Sequence, residues 1–362
     1  LQKHDFFLGD KRIEITNQYT YLGLKLTPNT KFSIATQQLS EKAMHALFKI
    51  RKHLDLHKLT PKRAMKIFDG MVSPILLYNS EVWGAYANND FTKWDKTSTE
   101  KTHLKFCKIY LGVNRKASNI ASRGELGKFP LLISILKRIF LYIKHINQLP
   151  DSSIAKQTSS ISKRLYLNGK SSFHLNAASI IKNIYPDIDE TIDIEKFVQD
   201  NNVNDFVKAI KDKYTLFWKN QIQNSTKLSF YSTFKKDYNL EEYLNIIKDP
   251  NRRRLFSKFR ISNHKLEIEF GRYKNTPRNE RFCKCCHKSA VEDEFHFSFE
   301  CEKYETLRQN SHNILKEYFT IDITHDSRRK LLSDIMSKND PVITDLFSKH
   351  IVKCLITRDL SL

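Results

Sequence analysis

Apolar and polar residues alternate near the N-terminus of the chain, which indicates strands there. Over residues 6–26, Ile13 and Ile15 alternate with charged neighbours, and Gly9-Asp10 marks a turn. Alternation with a period of two is typical of half-buried strands. We therefore expect short strands over residues 6–26, with the stretch Tyr19–Leu26 pairing with the stretch before it.

After Pro28, apolar residues recur every three or four positions, which is the period of an α-helix. The chain has only nine glycines and nine prolines, a composition that suits helices better than turn-rich sheets. We predict a mainly α protein with a small N-terminal β-hairpin, and a linker or loose helix over residues 152–162. The predicted helices run from Leu39 to Leu54 and over about 61–69, 73–87, 93–111, 130–147 and 203–223.

The charge of the chain is strongly unbalanced. It carries 61 Lys and Arg against 40 Asp and Glu, which gives a formal net charge of +21. An excess of this size favours a polyanionic partner, although a lysine-rich proteome would also produce it. On the first predicted helix a cationic stripe fits either a solvated face or a surface that contacts phosphates. Its members are Lys42, His45, Lys49 and Lys52.

Much of this charge lies in the basic segment, residues 251–281, where Phe256, Phe259, Phe270 and Tyr273 are interleaved with the cations. Because guanidinium groups bind phosphate oxygens and aromatic rings stack on unpaired bases, the segment favours nucleic-acid binding. The alternative is a surface helix whose aromatic residues belong to the core. The candidate nucleic-acid-binding residues of this segment are Arg252, Arg253, Arg254, Lys258, Arg260, Lys265, Arg272, Lys274, Arg278 and Arg281.

Four of the six cysteines lie within residues 283–301. The spacing Cys283-x2-Cys286-x9-His296-x4-Cys301 predicts three thiolates and one imidazole around a tetrahedral Zn²⁺. A site with four protein ligands leaves no position for water, so this zinc would be structural. The alternative is a set of buried thiols without a metal.

Two other residues in this stretch compete for the metal and are predicted not to bind it. Cys285 should project away from Cys283 and Cys286, which lie on either side of it. His287 directly follows Cys286, so its coordination of the same metal would strain the chelate ring. We expect a short helix over Val291–Phe299 that carries the histidine ligand, with Phe295 and Phe299 packing together one turn apart.

The remaining cysteines, Cys107 and Cys354, do not form a disulfide pattern, which favours a reducing compartment. The most apolar long stretch, residues 129–146, has Lys137 and Arg138 at its centre. Charges are costly at the centre of a bilayer, so we expect no membrane span and no membrane partner.

Several stretches resemble, in the same order, the C-terminal part of non-LTR (LINE-type) retrotransposon reverse transcriptases. YTYLGLKLT (19–27) resembles the strand pair after the polymerase palm. KIFDGMVSPILLYNSEVWG (66–84) and HLKFCKIYLGVNRKASNIASRGELGKFPL (103–131) resemble the thumb and post-thumb helices. ERFCKCCHKSAVEDEFHFSFECEKYETLR resembles the C-terminal cysteine–histidine module, and NHKLEIEFGRYKNTPRNER the approach to it. Residues 151–245 and the tail after 320 carry little of the resemblance.

The resemblance implies target-primed reverse transcription, in which an RNA-directed DNA polymerase copies element RNA from a nick in chromosomal DNA. Polymerisation needs two metal ions held by carboxylates that include an adjacent Asp-Asp pair. The sequence contains no Asp-Asp pair. We therefore expect Mg²⁺ only in a full-length enzyme, and this chain to be an inactive C-terminal portion, from a fragmentary gene or a decayed element.

The resemblance also implies sites and partners. Tyr21, Leu22 and Gly23 match the motif where these polymerases position the primer end, although a plain core strand is the alternative. The expected partners are a template–primer hybrid, element RNA and target DNA, in the nucleus after cytoplasmic assembly. An alternative function is a domesticated helical scaffold whose zinc module binds another protein.

Five consecutive segments follow from this resemblance. They are the end of the palm (1–30), a helical thumb-like domain (31–150), a helical connector (151–250), the basic segment with the zinc module (251–318), and a helical tail (319–362).

Overall fold

The computed structural model of the protein describes residues 5–28, 32–87, 89–188, 191–320 and 325–361. The predicted fold class is confirmed, because the chain is 67% helix and 4% strand, and the strands of the described residues form two small hairpins near the N-terminus. The strands are β1 Phe6–Leu8, β2 Lys11–Ile13, β3 Tyr19–Tyr21 and β4 Leu24–Leu26.

The strands pair locally, so the predicted pairing between the two stretches is wrong. β1 pairs with β2 and β3 pairs with β4, both antiparallel. The reason lies in the two-residue turns, which reverse each stretch on itself. Leu22 and Gly23 have φ values of 45° and 80°, the pair of positive angles that a type I′ hairpin turn requires.

The helices fill most of the remaining chain. The first ten are α1 Ser33–His53, α2 Pro61–Met71, α3 Ser73–Leu76, α4 Ser80–Trp83, α5 Phe91–Trp94, α6 Ser98–Leu111, α7 Asn119–Leu126, α8 Leu131–Gln148, α9 Ile154–Leu167 and α10 Phe173–Ile184. The others are α11 Ile194–Asp200, α12 Val203–Gln223, α13 Tyr231–Phe234, α14 Tyr243–Ile246, α15 Pro250–Arg260, α16 Glu267–Tyr273, α17 Glu305–Gln309, α18 Asn313–Thr320, α19 His325–Ser337 and α20 Pro341–Ser361. Single 3₁₀ turns cover Leu56–Lys58, Gly84–Tyr86, Thr226–Leu228, Arg278–Glu280 and Glu302–Tyr304.

The long helices agree with the apolar period, whereas two predicted helices are broken. The prediction over 73–87 fails at Asn79, whose φ of 52° is left-handed and interrupts the helix between α3 and α4. The prediction over 93–111 is split into α5 and α6. The expected loose helix at 152–162 is an ordered helix, α9, and α7 was not predicted.

The described chain forms two compact units, each assembled from separate stretches. The first comprises the chain up to His45 together with Ser73–Thr99 and Leu131–Ile210. The second comprises Ala46–Val72, Glu100–Pro130 and the chain from Lys211 onward. These units follow packing, whereas the five segments above follow the sequence, so the limits of those segments stay predictions.

In the first unit, helix α8 forms the centre of the core. Ile135, Ile139 and Phe140 are each at most 3% exposed, and the Phe140 ring lies 4.9 Å from that of Phe206. Gly84 packs directly on this helix, since a Cβ there would lie 2.2 Å from Ile135 Cγ2. A glycine is therefore required for the close approach.

In the second unit, aromatic residues fill the core. Phe68 stacks on Phe106 with ring centroids 4.5 Å apart. Tyr214 and Trp218 on α12 are fully buried. The Trp218 Nε1–H donates to the carbonyl of Ile120 at 3.2 Å, so the one polar atom of this ring is paired.

His350 on α20 makes the stability of the second unit sensitive to acid. Its ring lies beside Phe319, Phe347 and Cys354, and burial lowers its pKa to about 4, with Arg308 and Lys353 acting in the same direction. The folded state therefore favours the neutral imidazole. Its contribution to stability is present above the unfolded pKa of about 6.5 and is lost as pH falls toward the folded value.

We expect the free energy of unfolding to fall by about 1–2 kcal/mol more in the wild type than in His350→Gln between pH 7 and pH 5. Urea unfolding at the two pH values measures this difference. The exposed His145 provides a matched control, and His145→Gln should keep the pH dependence of the wild type. Equal pH dependence in all three proteins would contradict the assignment.

Candidate metal centre

A short hairpin positions the first two cysteines of the Cys–His cluster, which consists of Cys283, Cys286, His296 and Cys301. Phe282 and Val291 form an isolated antiparallel bridge. The Cys283 N–H donates to the carbonyl of Ala290 at 2.9 Å. The chain between these bonds forms the turn that carries Cys286.

A π-helical turn, His296–Glu300, positions the other two ligands. The predicted helix over Val291–Phe299 is thus shorter and wider than expected, since Val291 belongs to the bridge. The Cys301 N–H donates to the His296 carbonyl at 2.8 Å, which closes the wide turn. In an α-helix, residues five apart point about 140° away from each other. The wider turn lets the imidazole and the thiol converge, and such turns are frequent at functional sites.

The four side chains meet at one point. Their ligand atoms all lie within 4.8 Å of one another. Cys283 Sγ is 3.8 Å from Cys301 Sγ, and Cys286 Sγ is 3.5 Å from His296 Nε2. Cys283, His296 and Cys301 are buried, while Cys286 is partly exposed. The cluster could therefore hold one metal ion.

The protonation states of the cluster depend on whether a metal is bound. The neighbouring Cys301 thiol and burial raise the pKa of Cys283 to about 12. A divalent cation at the centre would reverse this, because it favours the thiolate form. His296 Nδ1 lies 3.5 Å from Glu300 Oε2, which leaves Nε2 for the metal. This nearby carboxylate, which makes no hydrogen bond to Nδ1, was missed from the sequence, although the spacing of four residues could have indicated it.

Cys285 and His287 lie outside this set of four. The Cys285 N–H donates to Cys283 Sγ at 3.4 Å, and its own thiol lies near that sulfur and Glu292. The Glu292 carboxylate is already bound by Arg358, at 2.7 and 2.8 Å. His287 is exposed and belongs to neither group of potential ligands. The four-residue set is therefore the better candidate.

The segment around the cluster is packed into the second unit. Phe295 and Phe299 stack with centroids 5.7 Å apart, which confirms the predicted pair. Phe297 contacts Phe259 of α15 at 5.9 Å between centroids. The Glu292–Arg358 ion pair connects the segment to α20. Loss of a metal would therefore also destabilise the packing of this segment against α15 and α20.

Two of the predicted nucleic-acid-binding residues are buried, which corrects the sequence prediction. Arg253 is 6% exposed and Arg260 is 2% exposed. The Arg260 guanidinium is paired with Glu125 and Glu241. Arg253 instead donates to backbone carbonyls, those of His57, Leu59, Leu244 and Ile247. Both cations stabilise the interior of the second unit and are no longer candidates for the nucleic-acid-binding surface.

The other candidate cations differ in exposure. Arg252 pairs with Asp345 at 2.7 Å, and Arg272 pairs with Glu269 at 3.2 Å. The half-buried ones are Arg252, Arg254, Lys258, Arg272 and Arg281. The exposed ones are Lys42, Lys49, Lys52, Lys265, Lys274 and Arg278. The exposed group is the most accessible to a partner, although Lys265 lies 3.3 Å from Asp359, and its binding role stays a prediction.

The candidate primer-positioning residues, Tyr21, Leu22 and Gly23, lie at the turn of the second hairpin and are exposed. The Leu22 carbonyl accepts a hydrogen bond from the Tyr78 hydroxyl at 2.7 Å. This exposure disagrees with a core strand, although Gly23 occupies the turn, as that alternative expects. The primer role stays a prediction.

No helix in the described ranges combines the length and apolar character that crossing a bilayer requires. No family model matches the chain, and neither the curated proteins nor the solved structures contain a match. The functional conclusion therefore depends on the site itself.

Proposed function

We propose that this chain is the C-terminal nucleic-acid-binding portion of a non-LTR retrotransposon reverse transcriptase, with a structural zinc in the Cys–His cluster. The closed set of three sulfurs and one imidazole is the observation that carries the proposal. A set with four protein donors supplies folding energy and no open coordination position. The chain would then bind nucleic acid in the nucleus. The Mg²⁺-dependent polymerisation would belong to a full-length enzyme.

Two of the distances between ligand atoms are compatible with zinc, which supports the proposed metal. With Zn–S of about 2.3 Å and Zn–N of about 2.0 Å, a tetrahedral site separates two sulfurs by about 3.8 Å and a sulfur from a nitrogen by about 3.5 Å. The Cys283–Cys301 and Cys286–His296 distances are 3.8 and 3.5 Å. Thiolate-rich donor sets also select zinc over magnesium or calcium.

The exposed cations support nucleic acid as the partner. Lys42, Lys49 and Lys52 lie along α1 and are all exposed. Phosphate contacts by such residues carry no sequence information, but they supply affinity and position the protein on a backbone. A template–primer hybrid, element RNA and target DNA all present this backbone.

We expect binding of an RNA–DNA hybrid to weaken steeply as salt rises from 50 to 200 mM, because counterions are released from the phosphates. The triple variant Lys42→Gln, Lys49→Gln, Lys52→Gln should reduce the slope of log K against log salt by about 2–3. Fluorescence anisotropy with a labelled hybrid measures both quantities. A matched triple variant, Lys338→Gln, Lys349→Gln, Lys353→Gln, loses the same charge and should keep the slope.

Two outcomes would contradict the proposal. Equal slopes in the two triple variants would remove α1 from the binding surface. Weak or salt-insensitive binding of nucleic acid, together with salt-insensitive capture of a protein partner, would instead favour the scaffold function.

A further inference from the structure

A cavity of about 470 Å³ opens in the second unit between three stretches of chain. Its walls are the loop 114–116 after α6, the turn 262–265 after α15, and residues 269–273 of α16. The Asn114 N–H donates to Asn263 Oδ1 at 2.8 Å, which joins the first two walls. The volume lies in the range of small-molecule sites.

Two aromatic rings on the third wall are left open. Phe270 is 41% exposed and Tyr273 is 58% exposed. They are three residues apart on α16 and so share one face. Lys274 Nζ lies 4.6 Å from the Phe270 centroid, and Lys116 Nζ lies 5.5 Å from that of Tyr273. Flat rings flanked by cations suit a planar, electron-rich ligand that carries negative charge.

The cavity is also lined by two buried side chains that each have an unused polar atom. The side chains of His264 and Glu269 are only 2% and 4% exposed. His264 Nε2 bonds Glu294 at 3.1 Å and Glu269 Oε1 bonds Arg272, but His264 Nδ1 and Glu269 Oε2 have no partner among the described residues. Both atoms are themselves buried, so they are polar groups beneath the cavity wall that no described side chain satisfies.

Cations at the rim complete the chemistry. Arg115 and Lys116 are exposed on the first wall, and Lys265 is exposed on the second, where it lies 3.3 Å from Asp359. Sequence reasoning found Lys265 but missed Arg115 and Lys116, because they lie about 150 residues before it and only the fold brings them together. Phosphate groups bind such positions readily.

We propose that this cavity binds a single unpaired nucleotide of a nucleic-acid strand. The base stacks on Tyr273 and Phe270, and its phosphate is held by Arg115 and Lys116. This inference rests on the proposed function and names the part of the partner that this cavity takes. We assign the nucleotide to a single strand, because the rings can stack on an unpaired base while the cations hold the backbone phosphate beside it.

The test uses the full chain and a short strand in which one 2-aminopurine is flanked by abasic residues. Stacking quenches 2-aminopurine fluorescence, and an all-abasic strand of equal charge reports the phosphate contribution alone. We expect the base-containing strand to bind roughly tenfold more tightly than the abasic one. Tyr273→Leu should abolish both the quenching and this preference. Tyr19→Leu, at a tyrosine that is 62% exposed, is the matched control and should change neither.

The outcomes separate this inference from the proposed function. Loss of the preference in Tyr273→Leu and in a second variant, Phe270→Leu, with hybrid binding retained, supports the cavity. If both variants still quench the fluorescence, the assignment of the base to this cavity is overturned. The proposed salt-dependent binding of the hybrid is not affected by that result. If free AMP displaces the labelled strand as effectively as an unlabelled strand does, the cavity binds a mononucleotide, and the assignment to a strand is overturned. No binding of any nucleic acid would overturn both proposals.

Discussion

Replacing Cys301 with serine should remove the proposed zinc from the protein and unfold the segment that surrounds the cluster. Cys301 is fully buried, and its sulfur lies 3.8 Å from that of Cys283. A serine hydroxyl is a much weaker zinc ligand than a thiolate, and structural zinc supplies folding energy directly. We expect the bound zinc to fall from one ion per chain to nearly none, and the free energy of unfolding to fall by at least about 4 kcal/mol.

The neighbouring Cys285 offers a matched control for this experiment. It lies in the same turn, but its thiol does not belong to the set of four. Cys285→Ser should therefore keep one zinc and most of the stability. Elemental analysis of the purified proteins and thermal unfolding measure the two quantities. Zinc retained in Cys301→Ser, or lost in Cys285→Ser, would overturn the assignment of ligands.

The packing of the segment around the cluster predicts which part of the protein loses stability when the metal is lost. Phe297 contacts Phe259, and Glu292 pairs with Arg358, so the segment contributes to the interior of the second unit. Removal of the metal would leave these contacts without a fixed backbone. Unfolding of Cys301→Ser should therefore be less cooperative for the second unit, with a lower denaturant m value.

The sequence predicts those features that depend on local spacing. Helix α12 occupies Val203–Gln223, as its apolar period indicates, and the ligand spacing identifies the four residues that converge. Both signals depend on residues that are close in the chain. Periodicity and chelate spacing are therefore sufficient, because helix geometry and a tight turn translate them directly into positions.

Features that depend on distant partners could not be predicted. Arg260 and Arg278 look alike in the basic segment, yet the first is buried and the second is exposed. The difference comes from Glu125, which lies 135 residues before Arg260 and pairs with it. The π-helical turn is likewise a tertiary feature, since the apolar spacing of residues 291–299 suits an ordinary helix equally well.

Replacing Arg260 with methionine should destabilise the protein by about 3–5 kcal/mol. The Arg260 guanidinium is 3% exposed and lies 2.9 Å from the fully buried carboxylate of Glu125. Its other partner, Glu241, also pairs with Lys235. Methionine preserves the apolar stem but leaves Glu125 charged and unpaired in the interior. Denaturant unfolding measures the loss.

Acid should affect the wild type and Arg260→Met differently. Burial alone would raise the pKa of Glu241, but Arg260 and Lys235 lower it. That contribution to stability is present above the unfolded pKa, about 4.5, and is lost as pH falls through the folded value. The variant loses the part that comes from Arg260 and keeps the part that comes from Lys235, so its stability should fall less steeply below pH 5.

Two comparisons decide whether the effect of Arg260→Met comes from a buried charge. Lys265→Met removes a cation from an exposed pair with Asp359, where the ammonium side chain is 75% exposed, and should cost less than about 0.5 kcal/mol. The double variant Arg260→Met, Glu125→Gln removes the unpaired charge and should recover part of the lost stability. If the double variant is no more stable than Arg260→Met, the loss comes from packing instead. Folded Arg260→Met should bind nucleic acid like the wild type, because this guanidinium is not accessible to phosphate.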